Sequence, residues 1–398
     1  MNIAILNGKV FLPGMITEAN LLIEDGVIKS ISKQRLPADK VINARGLYVL
    51  PGIIDCHVHM REPGQTEKED FVTGSCSAAA GGVTTFLDMP NNRPPTLTKD
   101  LLEEKRRLAK RSVVNFGFHF GSSPDTLNEL VPENTASTKV FLDESTGSLS
   151  ITDDTVLEQV FRRSRLVTCH AEGENVRKAL EFSHKTSTPV SICHVSTAQE
   201  LQALQKDPPL GIEACPHHLF LSQNDDTGPF TLMKPRLKPK DDVAALWQAI
   251  SNGLITHVAS DHAPHTIEDK EGGMPPYGVP GVETMLPLLL DAVNKDRLKL
   301  NDVVRLCSQN PARIFKLQGK GSISVGNGDL TLVDLKLKRK VKADTLHSKC
   351  GWTPYEGKTL KGWPVYTIIN GTLVYDEGAM IPGQGMEVKY ERDRKDPA

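Results

Sequence analysis

Two histidines stand one residue apart, at His57 and His59, directly after the apolar run LYVLPGII. Successive side chains of a strand alternate between faces, so residues two apart point to the same side. Two imidazoles aimed at one point suit the binding of a single metal ion or ligand. Arg61 and a Pro63-Gly64 turn follow at once. The segment DCHVHMREPGQ therefore predicts a strand that ends in a binding site.

The middle of the chain has the sequence pattern of alternating strands and helices. Apolar strand-like runs recur there with helical patterns between them, and eight can be distinguished. They span residues 53–58, 83–87, 113–118, 138–142, 166–169, 190–193, 211–215 and 257–260. Strands alternating with helices indicate parallel βα units, and eight such units predict a closed (β/α)₈ TIM barrel.

Both ends of the chain have a different sequence pattern, in which short apolar runs are separated by Asn-Gly, Asp-Gly and Gly-Asn turns. Such turns between short alternating runs are typical of antiparallel strands. We expect residues 1–50 and 312–398 to form one small β-sandwich domain, and residues 51–311 to form the metal-dependent barrel domain.

The strand ends carry the candidate site, because catalytic residues of a barrel lie where its strands end. His170 and His194 follow the fifth and sixth runs, and Asp261 follows the eighth. A single histidine at a strand end is more often structural than a ligand. Convergence of the His57–His59 pair with a carboxylate instead favours a metal, since imidazole nitrogen and carboxylate oxygen are the ligand types that zinc takes.

Lys139, in the fourth run, is open to two interpretations. An ordinary lysine would hold its ammonium group in solvent. A lysine beside two metal ions must lose its positive charge, and carbamylation achieves this while producing a carboxylate long enough to bridge the metals. Asp143, four residues further on, is the competing carboxylate.

Several motifs together resemble the dihydroorotase family of the amidohydrolase superfamily, from Gly52 to Asn310. They are GIIDCHVHMREPG, DMPNNRPP, CHAE, CHVST, EACPHHLFL, ASDHAPHTIEDK and GVPGVETMLPLLL. The resemblance implies two Zn²⁺ ions, one bound by His57, His59 and Asp261 and the other by His170 and His194. It also implies that carbamylated Lys139 bridges the ions together with a hydroxide, with Asp143 as the alternative bridge.

The same resemblance implies a substrate and a reaction. The reaction would be the reversible cyclisation of N-carbamoyl-L-aspartate to L-dihydroorotate in de novo pyrimidine biosynthesis, with Asp261 as general acid and base. Arg61, Asn91 and His265 would bind the substrate carboxylate. Charge supports this independently, because an arginine can bind a carboxylate with two hydrogen bonds.

Two other functions stay open. An allantoinase or a hydantoinase of the dihydropyrimidinase type would share the metals but act on a neutral ring. A non-enzymatic scaffold would have lost metal ligands.

Two local features also have alternative interpretations. Cys193 is interpreted as a small buried hydrophobic residue, because adjacent residues of a regular strand face opposite ways; the alternative is an additional metal near Cys193 and Glu213. The loop DESTGSLS after Lys139 suits either a mobile lid or a plain surface turn.

Composition narrows the choice of partners and compartment. The 47 basic and 49 acidic side chains nearly cancel, which argues against nucleic acid and favours a small-molecule substrate. Neither a signal peptide nor a membrane span is indicated, and the 7 scattered cysteines suit reduced thiols, so we expect a cytoplasmic protein. The sequence does not decide between a monomer and a homodimer, or whether the chain associates with aspartate transcarbamoylase.

Overall fold

The computed structural model describes residues 2–127, 129, 131–143 and 149–391. Residues 144–148 of the DESTGSLS loop fall outside this range, so the lid or turn predicted there stays a prediction. Among the helices that are described, none has the length and apolar character that a membrane crossing requires.

The described part of the chain alternates strands and helices through its middle and is β-rich at both ends. The strands are β1 (Ile3–Leu12), β2 (Met15–Glu24), β3 (Val27–Ser32), β4 (Lys40–Asn43), β5 (Tyr48–Pro51), β6 (Ile53–Val58), β7 (Val83–Asp88), β8 (Asn115–Phe118), β9 (Phe120–Gly121), β10 (Thr138–Phe141), β11 (Val167–His170), β12 (Val190–Ile192), β13 (Gly211–Ala214), β14 (His257–Val258), β15 (Leu330–Lys340), β16 (Thr359–Ile369), β17 (Thr372–Asp376) and β18 (Ala379–Met380). The helices are α1 (Phe71–Ala80), α2 (Lys99–Ala109), α3 (Asp154–Arg163), α4 (Glu174–Thr186), α5 (Ala198–Lys206), α6 (Pro216–Phe220), α7 (Lys240–Ser251), α8 (Ile267–Glu271), α9 (Val282–Asn294), α10 (Leu300–Val304) and α11 (Asn310–Ile314).

The middle of the chain forms parallel βα units, as the sequence predicts. Strands β6 to β8 pair in order, and β9 to β14 form a second parallel run. A single residue, His119, separates β8 from β9, so these two segments are halves of one strand that pairs with β7 on one side and β10 on the other. The chain after β14 returns to β6 through a parallel bridge between Val58 and His262. These contacts place the eight predicted strands in the order of a (β/α)₈ barrel.

The barrel strands are buried on both faces, which explains their nearly continuous apolar sequences. Every residue of β6, β7 and β10 is buried. Parallel strands covered by helices lie between two apolar layers and lose the alternation of a half-exposed strand. Polar side chains therefore appear mainly where strands end, and the candidate site residues occupy these ends.

Strands from both termini form a single β-rich unit. Its sheet has the order β18-β17-β16-β15-β5-β1-β2-β3, with β4 paired to β1. The N-terminal and C-terminal segments join where β5 pairs antiparallel with β15, with Leu330 opposite Pro51. A separate apolar core, which includes Ile3, Ile5 and Leu332, lies within this unit. The β-rich unit from both termini is as predicted, while the domain boundaries at 50/51 and 311/312 stay predictions.

Candidate metal centre

Three of the predicted ligands converge at the mouth of the barrel. Asp261 Oδ1 lies 3.2 Å from His57 Nε2 and 3.1 Å from His59 Nε2. The ligand atoms of these three residues all lie within 4.8 Å of one another, as a shared metal ion requires. His57 is the last residue but one of β6, His59 follows the end of that strand, and the chain just beyond β14 supplies the aspartate.

A second carboxylate, that of Glu213, contacts the other ring nitrogen of His57. His57 Nδ1 lies 2.8 Å from Glu213 Oε1 on β13. Burial opposes protonation of this imidazole, but Glu213 and Asp261 outweigh burial and raise the pKa of His57 well above its ordinary value. Two carboxylates around one buried imidazole make the position favourable for a cation, whether a proton or a metal ion.

Asn91 orients His59. Its Oδ1 lies 2.7 Å from His59 Nδ1. Burial lowers the pKa of His59 to about 4, although Asp261 opposes the shift, so the ring is neutral at pH 7. With an amide oxygen as acceptor, the proton lies on Nδ1, and the Nε2 lone pair faces the cluster. Asn91, expected to contact substrate, thus also fixes a candidate ligand.

His170 and His194 form a second pair beside the first. His170 Nδ1 lies 2.8 Å from His194 Nε2, while the other ring nitrogen of each residue is buried without a hydrogen-bond partner among the described residues. Buried polar atoms without partners are uncommon and call for an explanation such as an ion. Burial, with Lys139 next, lowers the pKa of His170 to about 3, and burial lowers the pKa of His194 well below its ordinary value. Both rings are therefore neutral, which is the form that binds metal.

Lys139 projects into the same cavity, with its Nζ 2.9 Å from Cys193 Sγ. The interpretation of Cys193 as a small buried residue is confirmed, but its sulfur also groups with His57 and Glu213, so it does not point away from the cluster. The physical reason is that β12 ends at Ile192 and His194 has a φ of 35°. Strand alternation does not extend to these residues, so Cys193 and His194 need not point in opposite directions.

Asp143, the alternative bridge, is engaged elsewhere. Its Oδ2 accepts the backbone N–H of Glu172 at 2.7 Å, and its Oδ1 accepts the amide of Asn175 at 2.7 Å. Lys139 lines the cavity, and Asp143 is not among the described residues that do. The geometry therefore favours Lys139 as the bridging candidate.

Arg61 and His265 lie together at the edge of the cluster. Arg61 Nη2 is 3.0 Å from His265 Nε2, and Arg61 Nε donates to the carbonyl of Pro264 at 3.0 Å. Both side chains are buried. Burial lowers the pKa of Arg61 to about 10, which leaves the guanidinium charged at neutral pH. A buried cation beside the cluster is suited to bind an anionic group.

One cavity, open to solvent and with a volume of about 420 Å³, is lined by all the predicted site residues except His265. Its lining includes residues that the sequence did not single out: Phe141, Lys234, Ala263, Tyr277 and Gly278. Most lie in loops outside the recognisable strand ends. Only Gly278 could have been suspected from the sequence, because it lies in a Gly/Pro-rich segment. Its φ is 132°, and a Cβ there would lie 2.5 Å from the carbonyl oxygen of Ala263.

Three site residues adopt a backbone conformation that is uncommon outside glycine. The φ angles of Arg61, His194 and Asp261 are 60°, 35° and 46°. Such conformations cost about 1–3 kcal/mol each and are found preferentially where function requires a particular side-chain direction. Each of these residues follows the end of a barrel strand, where the chain must turn while its side chain stays aimed at the cavity.

Comparison with known proteins identifies the family. The model of the amidohydrolase family matches residues 48–374. The chain belongs to the amidohydrolase family. The curated relatives of this amidohydrolase include the dihydroorotase of Methanosarcina acetivorans, 36% identical over 99% of this chain and 97% of the relative, and that of Pyrococcus furiosus, 37% identical over 95% and 94%. Among solved structures, the L-hydantoinase (dihydropyrimidinase) of Arthrobacter aurescens superposes with a TM-score of 0.91 at 28% identity, covering 97% of this chain and 99% of that one.

Proposed function

We propose that this amidohydrolase is a dihydroorotase, which interconverts N-carbamoyl-L-aspartate and L-dihydroorotate with loss or gain of water in de novo pyrimidine biosynthesis. The observation that carries the proposal is the buried Arg61–His265 pair beside the cluster of His57, His59 and Asp261. Dihydroorotate is a cyclic amide that bears a carboxylate, so it needs a metal-type cluster and a cationic site in one cavity. The curated relatives named dihydroorotase support the same choice.

The cluster suits the two zinc ions of the proposal. His57, His59 and Asp261 would hold one ion, and His170 and His194, two of whose ring nitrogens lie 2.8 Å apart, would hold the other. Carbamylated Lys139, which already lies in the cavity, would bridge them. Bound zinc would supply a hydroxide at neutral pH and polarise the amide carbonyl.

Asp261 is the proposed general acid and base. Its pKa is far below the ordinary value, because His57 and His59 together outweigh the effect of burial. The carboxylate is therefore ionised and accepts a proton from the attacking water, which it then delivers to the leaving ring nitrogen. In the biosynthetic direction Asp261 takes the proton from the carbamoyl nitrogen. Arg61, Asn91 and His265 hold the substrate carboxylate throughout.

A hydantoinase is the second candidate, because the L-hydantoinase superposes closely on this chain. Its neutral ring would offer no carboxylate to Arg61. A buried guanidinium whose donors lack an acceptor costs free energy, since the desolvation of the charge is not compensated. The arginine therefore favours an anionic substrate.

The deciding experiment compares dihydroorotate, hydantoin, dihydrouracil and allantoin as substrates of the purified protein, together with measurement of its metal content. We expect dihydroorotate to be strongly preferred and about two zinc ions per chain. Arg61→Met should abolish the preference for the charged ring by raising KM for dihydroorotate. Preference of the unaltered protein for any neutral ring would overturn the proposal.

The proposal also places the protein in the cytoplasm. All 7 cysteines are free thiols, as a reducing compartment favours. Oligomeric state and association with aspartate transcarbamoylase are separate questions, which sedimentation of the protein alone and with that enzyme would answer.

A further inference from the structure

His265 is flanked by cations on both of its ring nitrogens. Lys68 Nζ lies 3.1 Å from Nδ1, and Arg61 Nη2 lies 3.0 Å from Nε2. Nε2 also lies 2.9 Å from the carbonyl oxygen of Tyr277. Ammonium and guanidinium groups have only donors, and a neutral imidazole has one N–H and one acceptor nitrogen, so only one of the two cations can donate to the ring.

The carbonyl of Tyr277 and the ammonium group of Lys68 together decide which nitrogen carries that proton, because the carbonyl only accepts and so requires an N–H at Nε2. A protonated lysine can bond to Nδ1 only if this nitrogen is an acceptor, which leaves the proton on Nε2. The Nε2–H group can then donate to the carbonyl of Tyr277, and Arg61 cannot donate to it. The guanidinium donors at Nη2 are thereby left for another acceptor in the cavity.

Lys68 is itself rigidly placed. Its side chain is buried, and Nζ lies 3.1 Å from Asp269 Oδ2 on α8. Thr266 caps that helix: its hydroxyl accepts the backbone N–H of Asp269, and the Asp269 carboxylate accepts the backbone N–H of Thr266. The ammonium group thus joins the loop after the first barrel strand to the helix after the last one, with His265 between them.

A segment of the C-terminal β-rich unit, residues 348–352, secures both loops. Trp352 Nε1 donates to the backbone carbonyl of His265 at 2.7 Å. On the other side, Lys349 Nζ donates to the carbonyl of Thr66 at 2.8 Å, and the Ser348 hydroxyl donates to Glu69 at 2.5 Å. The contact between Lys68 and His265 is therefore held from outside the barrel.

We propose that Lys68 is a positioning residue that fixes His265 as the Nε2–H tautomer, so that His265 and Arg61 both offer donors to the substrate carboxylate. A carboxylate that enters beside them accepts from the guanidinium and shares the Nε2–H group with the carbonyl of Tyr277, which offsets the donor–donor contact between Nε2–H and Nη2. The inference rests on the proposed function and adds a residue that determines specificity for the charged substrate. Burial, followed by Arg61 and Lys68, holds the pKa of His265 well below its ordinary value, which keeps the ring neutral.

The kinetic test uses Lys68→Met, which keeps much of the side-chain length but removes the donor. KM for dihydroorotate should rise by roughly tenfold or more, as expected for a lost charge-assisted hydrogen bond, while kcat changes little. Lys68→Arg, which retains a donor, should restore much of the affinity. Lys185→Met is the matched control, because it makes the same change at an exposed lysine that pairs with Glu158 on α3, and its KM should stay near that of the unaltered enzyme. An unchanged KM in Lys68→Met, or an equal rise in Lys185→Met, overturns the inference.

A spectroscopic test does not depend on activity. The protein labelled with ¹⁵N-histidine should show His265 as the Nε2–H tautomer in two-bond ¹H–¹⁵N spectra, assigned by loss of the signal in His265→Gln. In Lys68→Met the ring should become a mixture of tautomers. If the unaltered protein has the Nδ1–H ring, the inference is contradicted even if dihydroorotate is the substrate. If the predicted tautomer is present but the protein does not turn over dihydroorotate, only the proposed function is rejected.

Discussion

Asp261 shows how a single residue combines several requirements. Its carboxylate contacts both histidines of the pair, it is buried, and its φ of 46° aims it into the cavity. The sequence predicts its importance from the SDHAPH motif and its place after a strand. The left-handed backbone, which allows an aspartate at this point to face His57 and His59, is visible only in the folded chain.

Asp261→Asn should retain the fold and reduce kcat for dihydroorotate by roughly 10²–10⁴-fold, because the amide is nearly isosteric but cannot accept the proton. Circular dichroism, metal content and kcat should be measured on the same preparation. Asp207→Asn, at an exposed carboxylate paired with His184, is the matched control and should be fully active. Near-normal turnover by Asp261→Asn with metal bound would remove the assigned role.

At the scale of elements, a buried lysine on α2 connects two strand ends of the barrel. Lys105 Nζ lies 2.6 Å from Asp88 Oδ2 and donates to the carbonyl of Met89 at 2.7 Å and to Asn92 Oδ1 at 2.6 Å. Asp88 Oδ1 in turn accepts the backbone N–H of Met60 at 2.7 Å. The helix therefore fixes the loop that carries Asn91 relative to the end of β6.

Lys105→Met should lower the free energy of unfolding by about 3–5 kcal/mol, because it leaves the Asp88 carboxylate buried without its cation. Urea unfolding followed by circular dichroism measures the change. Lys110→Met, at an exposed lysine just beyond α2, should alter stability by less than about 0.5 kcal/mol. Equal stability of the two variants would contradict the structural role of the buried pair.

The Pro63-Gly64 turn after the histidine pair also has a steric requirement. Gly64 has a φ of 89°, and a Cβ there would fall on the carbonyl of Arg93. Gly46 has a nearly equal φ of 87°, but a Cβ there would meet no described atom within 4 Å beyond its own chain neighbours. Gly46→Ala should therefore cost about 1–2 kcal/mol of backbone strain alone, and Gly64→Ala should cost more because the backbone must also move. Thermal or urea unfolding of both variants tests this, and equal losses would refute the steric argument.

At the scale of the whole molecule, the β-rich unit is attached to the barrel by specific polar contacts. Thr331 donates to the carbonyl of Gly82 at 2.6 Å, and Thr367 donates to that of Ala79 at 2.7 Å, next to the end of α1. His347 Nδ1 lies 3.0 Å from Glu283 Oε1 on α9. The same unit carries Trp352, which donates to the carbonyl of His265, so the terminal unit supports a residue of the proposed substrate site.

The His347–Glu283 contact predicts a pH dependence of stability. The hydrogen bond to Glu283 raises the pKa of His347 above 6.5, against the effect of burial. Because the raised pKa belongs to the folded state, the extra stability is fully present below about pH 6.5 and is lost as pH rises through the folded-state pKa. His347→Gln should therefore destabilise the protein more at about pH 5.5 than at about pH 8.5. Urea titrations of both proteins at the two pH values measure this, and a difference independent of pH would contradict it.

By itself, the sequence determined the barrel, the β-rich ends and the candidate ligands. Buried parallel strands leave continuous apolar runs, and the polar residues that follow those runs must gather at one mouth. The family motifs added roles to the same residues.

Only the tertiary structure decided which of these residues touch. Arg61 and His265 are 204 positions apart, Lys68 and His265 are 197 apart, and His57 and Glu213 are 156 apart. It also turned Cys193 toward Lys139 and tied Asp143 to Asn175. Local periodicity fixes the face of a residue only while a strand continues, and these side chains lie at or beyond strand ends, where the directions are set by turns and by partners distant in the chain.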